Sequence, residues 1–353
     1  MSDENKMDNE LYDERKDGLE SEYTIGASYE NKEANITRKF INYGVPSVSE
    51  GSLIYICLTF LFLTLGYVTQ SINIYFGIIF TEVVILGVVS YFIAKYKKYD
   101  MNLTFSLNRP KRGTILRSIG TMILLYPIAV FINGLFLSLI TKFIPLPDNF
   151  NAIPVPKSFL SFLVSILLFA CLPGIFEELI FRGILFRAFD KMKPWKRIVL
   201  TAFLFGLFHY NPFNFIGPFI LGIILGFIRY RSNSIVPSMF AHATNNSIAM
   251  FLSYTLSDKA AELETANEID LASNLSTFTI IFVVVIYILM IYAVYKLLKN
   301  YPDYKENVSV VSKMNIKEYV MIAVIIFISL VIMSYMVYVL MHSPLLKSWF
   351  FIC

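Results

Sequence analysis

Charge is what this chain has least of. Asp, Glu, Lys and Arg make up 16% of its 353 residues, and 56% are hydrophobic. Soluble domains carry about a quarter charged residues, so one large soluble core is excluded. Cysteine is also scarce. Cys57, Cys171 and Cys353 are scattered, with neither a disulfide framework nor a CxxC metal spacing. No cleavable leader is expected, because residues 1–36 hold eleven acids against four bases. No basic stripe with interleaved aromatics suggests nucleic acid as a partner. There is no convincing internal repeat.

What is there is apolar length. Nine hydrophobic runs cover approximately 53–70, 74–95, 114–141, 158–187, 198–210, 215–230, 235–254, 277–298 and 317–341. A membrane-crossing helix needs about 20 apolar residues. The expected fold is therefore all-α: a polytopic transmembrane bundle of about 8–9 helices over residues 51–345. The fifth and sixth runs are short and read as two short helices or a partial hairpin. Residues 1–50 read as an acidic, disordered tail.

Positive residues favour the cytoplasmic side. The loops 95–117 and 187–197, Arg229 with Arg231, and the segment 296–313 are basic. They alternate with 142–157, 210–214 and 255–276, which are poor in Lys and Arg. One orientation satisfies all of them: a multi-pass protein, placed in the plasma membrane, with its N-terminus in the cytoplasm.

Ionisable groups at membrane depth cost several kcal/mol unless paired, and they mark sites. Glu177, Glu178 and Arg182 sit inside an otherwise apolar run from Phe159 to Phe189. Residues four apart share a helix face, so Glu178 and Arg182 are expected to pair and Glu177 to point elsewhere. Two of the three histidines also lie in apolar runs. His209 shares a face with Phe205, and His242 with Asn246. At about 1.5 Å per residue, Glu177 lies about 15 Å from Arg187, His209 about 18 Å from Arg197, and His242 about 16 Å from Arg231. Three runs thus place Glu177, His209 and His242 at one depth, near mid-membrane, measured from the basic side. Pro173-Gly174 can bend the helix beside them. Glu82 reads as structural or cavity-facing, and His342 as interfacial.

A carboxylate and two imidazoles in a dry cavity have the parts for hydrolysis. Glu177 can deprotonate a water. His209, His242 and Asn246 can bind that water or stabilise an oxyanion. The same Glu177, His209 and His242 could instead hold Zn2+. The sequence leaves both open, and it contains no HExxH.

The order Glu177-Glu178-Leu179-Ile180-Phe181-Arg182, then Phe205 to His209, then His242 to Asn246 resembles the CPBP family of intramembrane proteases. That family includes type II CAAX prenyl endopeptidases and bacteriocin-processing or immunity proteins. The resemblance covers about residues 158–254. It implies a helical membrane endopeptidase opening to the cytosolic face, acting on a membrane-associated protein, prenylated in some members. Glu177 would activate water, His209, His242 and Asn246 would complete the site, and Glu178 and Arg182 would support it. Zinc and metal-free mechanisms both fit the resemblance. The alternative is a non-proteolytic protein of this fold, acting as an immunity factor or regulatory scaffold. The Gly-x-Ser-Gly and Gly-x-Gly-Asp motifs of other intramembrane proteases are absent.

Overall fold

The computed structural model describes residues 44–146, 154–265, 277–302 and 313–342. Each apolar run lies in a helix. In chain order these are α1 Val48–Ile72, α2 Ile74–Tyr96, α3 Thr114–Ile140, α4 Phe159–Ala188, α5 Pro194–Phe208, α6 Ile216–Ser232, α7 Val236–Thr265, α8 Thr277–Lys299 and α9 Ile316–His342. No strand occurs among the described residues. Six helices, α1–α4, α8 and a segment of α9, are long and apolar enough to cross a membrane. The chain is an integral membrane helical bundle.

The start of α1 differs from the sequence expectation. Residues 44–50 were placed in the tail, yet the helix begins at Val48. Ser47 Oγ accepts the Glu50 N–H at 3.3 Å, and Glu50 Oε2 accepts the Ser47 N–H at 3.0 Å. This reciprocal cap satisfies two otherwise orphan amides. Glu50 also pairs with Lys97 at 3.0 Å. The rest of the acidic tail, residues 1–43, lies outside the described residues, as do Cys353 and the side chain of His342.

The fifth and sixth runs form an antiparallel hairpin of two short helices. With 15 and 17 residues, they reach about 22–26 Å, short of a 30 Å hydrocarbon core. Two glycines let them approach. A Cβ on Gly222 would meet Ala202 Cα at 2.9 Å, and one on Gly226 would meet Ile198 at 3.2 Å. The turn between them has Tyr210 in the left-handed region at φ 47°. Its ring is buried and its hydroxyl lies 2.6 Å from Thr59 Oγ1, which ties the hairpin tip to α1. Both hairpin ends lie at the basic end of the bundle, so flanking loops keep the same side whether or not it crosses.

α4 is the axis of the bundle. Two π-helical stretches, Leu167–Cys171 and Leu179–Leu185, interrupt it on either side of the glutamates. Such turns recur at functional sites. Phe176 packs on Gly87 of α2, where a Cβ would meet the ring at 2.6 Å. Gly174 packs on α7, where a Cβ would meet the Ala243 backbone nitrogen at 2.9 Å. Gly174→Val is therefore expected to push α7 off α4, costing about 1–3 kcal/mol of stability. Thermal unfolding in detergent checks this; an unchanged melting temperature would contradict the close approach.

Candidate active site

The Glu178–Arg182 pair is present and fully buried. Arg182 Nη1 donates to Glu178 Oε1 at 2.6 Å. Its Nη2 donates to the Gly222 carbonyl of α6 at 3.3 Å, and its guanidinium lies over the Phe205 ring at 4.5 Å. Three helices thus hold one cation.

Glu177 points elsewhere than the Glu178–Arg182 pair, as expected, and lines the central cavity. Adjacent side chains diverge at Cβ, but both carboxylates reach round to the same imidazole. His242 Nδ1 lies 3.1 Å from Glu178 Oε1, and His242 Nε2 lies 3.7 Å from Glu177 Oε2. The two ring nitrogens face opposite ways, so one ring spans two neighbouring glutamates. Glu178 therefore has a second role that helix phase alone did not show: it orients His242.

Tautomers follow from these partners. Glu178 can only accept as a carboxylate, so the proton of neutral His242 sits on Nδ1 and Nε2 carries a lone pair. His209 Nδ1 lies 2.9 Å from the Phe205 carbonyl, which fixes the same tautomer there. The Phe205 ring meets both imidazoles edge-on, at 5.0 Å from His209 and 5.6 Å from His242.

Glu177, His209, His242 and Asn246 all line a central cavity of about 580 Å³, in the range of small-molecule sites. Glu178 and Arg182 lie behind its wall, where they position rather than contact. Asn246 Nδ2 donates to the Phe169 carbonyl at 3.2 Å, and its Oδ1 accepts from Asn245 at 3.0 Å. Asn245 and Glu82, outside the sequence-derived set of six, also line the cavity. Asn245 was visible only as the neighbour of Asn246. Glu82 of α2 lines the same cavity and interacts electrostatically with Glu177. Its isolated carboxylate in an apolar run was the available signal. The buried Oε2 atoms of Glu82 and Glu177 have no hydrogen-bond partner among the described residues. They are acceptors on offer at the cavity.

Among the described residues, no group of three or more His, Cys, Asp and Glu is gathered closely enough to hold an ion.

Residues 159–248 match the family model of type II CAAX prenyl endopeptidases of the Rce1-like kind. That stretch is similar to the Rce1-like family. It spans α4 to the middle of α7, about a quarter of the chain. It contains all six sequence-derived site residues and bears out the CPBP resemblance. Comparisons with curated proteins and with solved structures gave no match. The Rce1-like core therefore supports a CAAX-type intramembrane peptidase as the kind of protein, and leaves chemistry and substrate to be argued from the site.

Proposed function

We propose that the protein is a glutamate-dependent intramembrane endopeptidase. One observation carries this reading. Glu177 Oε2 and His242 Nε2 stand 3.7 Å apart, too far to bond each other well. Both are acceptors, and a water has two donors to offer them. Glu177 takes one proton of that water as the oxygen attacks the peptide carbonyl carbon. The oxyanion is met by amide N–H groups of Asn245 and Asn246. The C–N bond then breaks, and protonated Glu177 returns its proton to the leaving amine. The products are one carboxylate and one amine, and Glu177 is regenerated. His209 holds a second acceptor towards the cavity and steers the water or the substrate amide. Glu178 fixes the His242 ring, and Arg182 holds Glu178 in place.

The substrate is a protein associated with the membrane. The core's resemblance supports prenylated proteins as one candidate class. If zinc were bound, Glu177, His209 and His242 are the residues that would hold it, and it would lower the pKa of a bound water. The test offers purified wild-type protein a mixture of membrane proteins in liposomes, maps new N-termini, and reads metal content on the same sample. Cleavage at stoichiometric zinc would overturn the metal-free mechanism. Absence of any cleavage would favour a non-proteolytic scaffold.

A further inference from the structure

We propose that the α1–α2 wall of the cavity is a specificity site, built by Gln70 and Glu82, that takes a Lys or Arg side chain of the polypeptide bound at Glu177. That the polypeptide is a substrate rests on the peptidase reading. What the wall accepts rests on its own residues.

The wall is made by close packing of α1 on α2. Gly77 lets Gln70 lie against α2, since a Cβ there would stand 2.2 Å from Gln70 Cγ. Gly66 allows the same closeness at Thr81, whose Oγ1 a Cβ would meet at 3.3 Å. Gln70 Nε2 donates to Thr81 Oγ1 at 3.1 Å, so its amide oxygen is left for another partner. Gln70 and Glu82 are 5% and 4% exposed, and both line the cavity. Gln70 Oε1 and Glu82 Oε2 are buried with no hydrogen-bond partner among the described residues. Buried acceptors left without a donor are costly. Two helices thus present two acceptors to the cavity and no donor to meet them.

Charge decides which donor fits. Glu178 has Arg182 at 2.6 Å. Glu82 and Glu177 have no such neighbour, because among the described residues the cavity lining contains no Lys or Arg. A carboxylate at membrane depth is expensive until it is paired. An ammonium or guanidinium brings several N–H donors and the missing charge together. A neutral donor would satisfy Gln70 and leave Glu82 unbalanced. An anionic side chain would be repelled by both carboxylates.

The wall is close to the chemistry. α2 meets α4 where a Cβ on Gly87 would touch the Phe176 ring at 2.6 Å, and Phe176 directly precedes Glu177. Glu82 lies five residues before Gly87, roughly 7 Å along a helix. An extended chain advances about 3.3–3.6 Å per residue. The basic residue should therefore fall within about three residues of the bond held at Glu177.

The liposome mixture of membrane proteins serves as the test, with the residues flanking each cleaved bond tallied for wild type and Glu82→Gln. Wild type is expected to favour Lys or Arg at one position within about three residues of the bond. Glu82→Gln should lower the ratio of basic to non-basic sites about tenfold, the worth of one charge-assisted hydrogen bond. Glu82→Asp, which keeps the charge, should retain the preference, and Gln70→Leu should weaken it. Wild-type cleavage without a basic preference, or a preference unchanged in Glu82→Gln, overturns the proposal. An equal fall at all sites also overturns it, because Glu82 would then serve the chemistry and not the choice of substrate. Binding is read apart from cleavage, on protein in nanodiscs, with an acetylated and amidated leucine pentapeptide carrying one central lysine and with its norleucine counterpart. Wild type should bind the lysine peptide about tenfold more tightly, and Glu82→Gln should lose the difference. Equal binding of the two peptides by wild type overturns the site without recourse to any variant. A lysine preference in binding with no bond cut would keep the site and overturn the peptidase reading alone.

Discussion

Glu177→Gln is expected to lower cleavage by about 10²–10⁴-fold, the usual worth of a positioned general base, while leaving the fold intact. Glutamine has nearly the shape of glutamate and cannot take a proton from water at neutral pH. Glu177 does not carry the ion pair with Arg182, which belongs to Glu178. It stands 3.7 Å from His242, too long to be a main support of the helix packing. A rate assay beside a melting curve separates the two effects. Equal rates for wild type and variant would remove Glu177 from the mechanism. A collapsed melting temperature would instead make the residue structural.

Arg182→Ala is expected to cost about 3–5 kcal/mol, because removing one member of a buried pair strands the other. Glu178 is 0% exposed and would lose its only cationic side-chain ion pair among the described residues, apart from His242. The Gly222 carbonyl and the Phe205 ring lose their cation as well. Arg112→Ala, at an exposed loop position, is the control and should change little. Activity should fall with Arg182→Ala even in molecules that remain folded, since Glu178 then no longer holds the His242 ring in one orientation. Equal stability of the two variants would contradict the buried pair. Stability loss without activity loss in the folded fraction would contradict its positioning role.

The helices and the gathering of the polar residues were legible in the sequence for physical reasons. Long apolar runs leave a chain few options in a membrane. Buried charges are so costly that each must have a partner, which made Glu178–Arg182 readable from spacing alone. Equal distances from the basic loops brought Glu177, His209 and His242 to one level, and the structure places them round one cavity. Three things were not legible. The sharing of His242 between Glu177 and Glu178 depends on side-chain reach, which helix phase does not give. Glu82 was readable as structural or cavity-facing, but its place beside Glu177 depends on how α2 packs against α4 at Gly87 and Phe176, a contact between residues far apart in sequence. The packing of the short helix Met101–Phe105 against α4, with the Phe105 ring beside Gly183, was the third, since short loop helices carry little periodic signal. The helix start at Val48 was readable in principle, since Ser47 and Glu50 have capping-box spacing.

The central claim is that a water, and not Glu177 itself, attacks the peptide bond. A single turnover of purified protein in H2 18O tests it most directly, with mass analysis of both product and enzyme. The account predicts one solvent oxygen in the new carboxylate of the product and none in Glu177. Solvent oxygen in Glu177 with an unlabelled first-turnover product would show an acyl-enzyme formed on that residue, and would contradict the account.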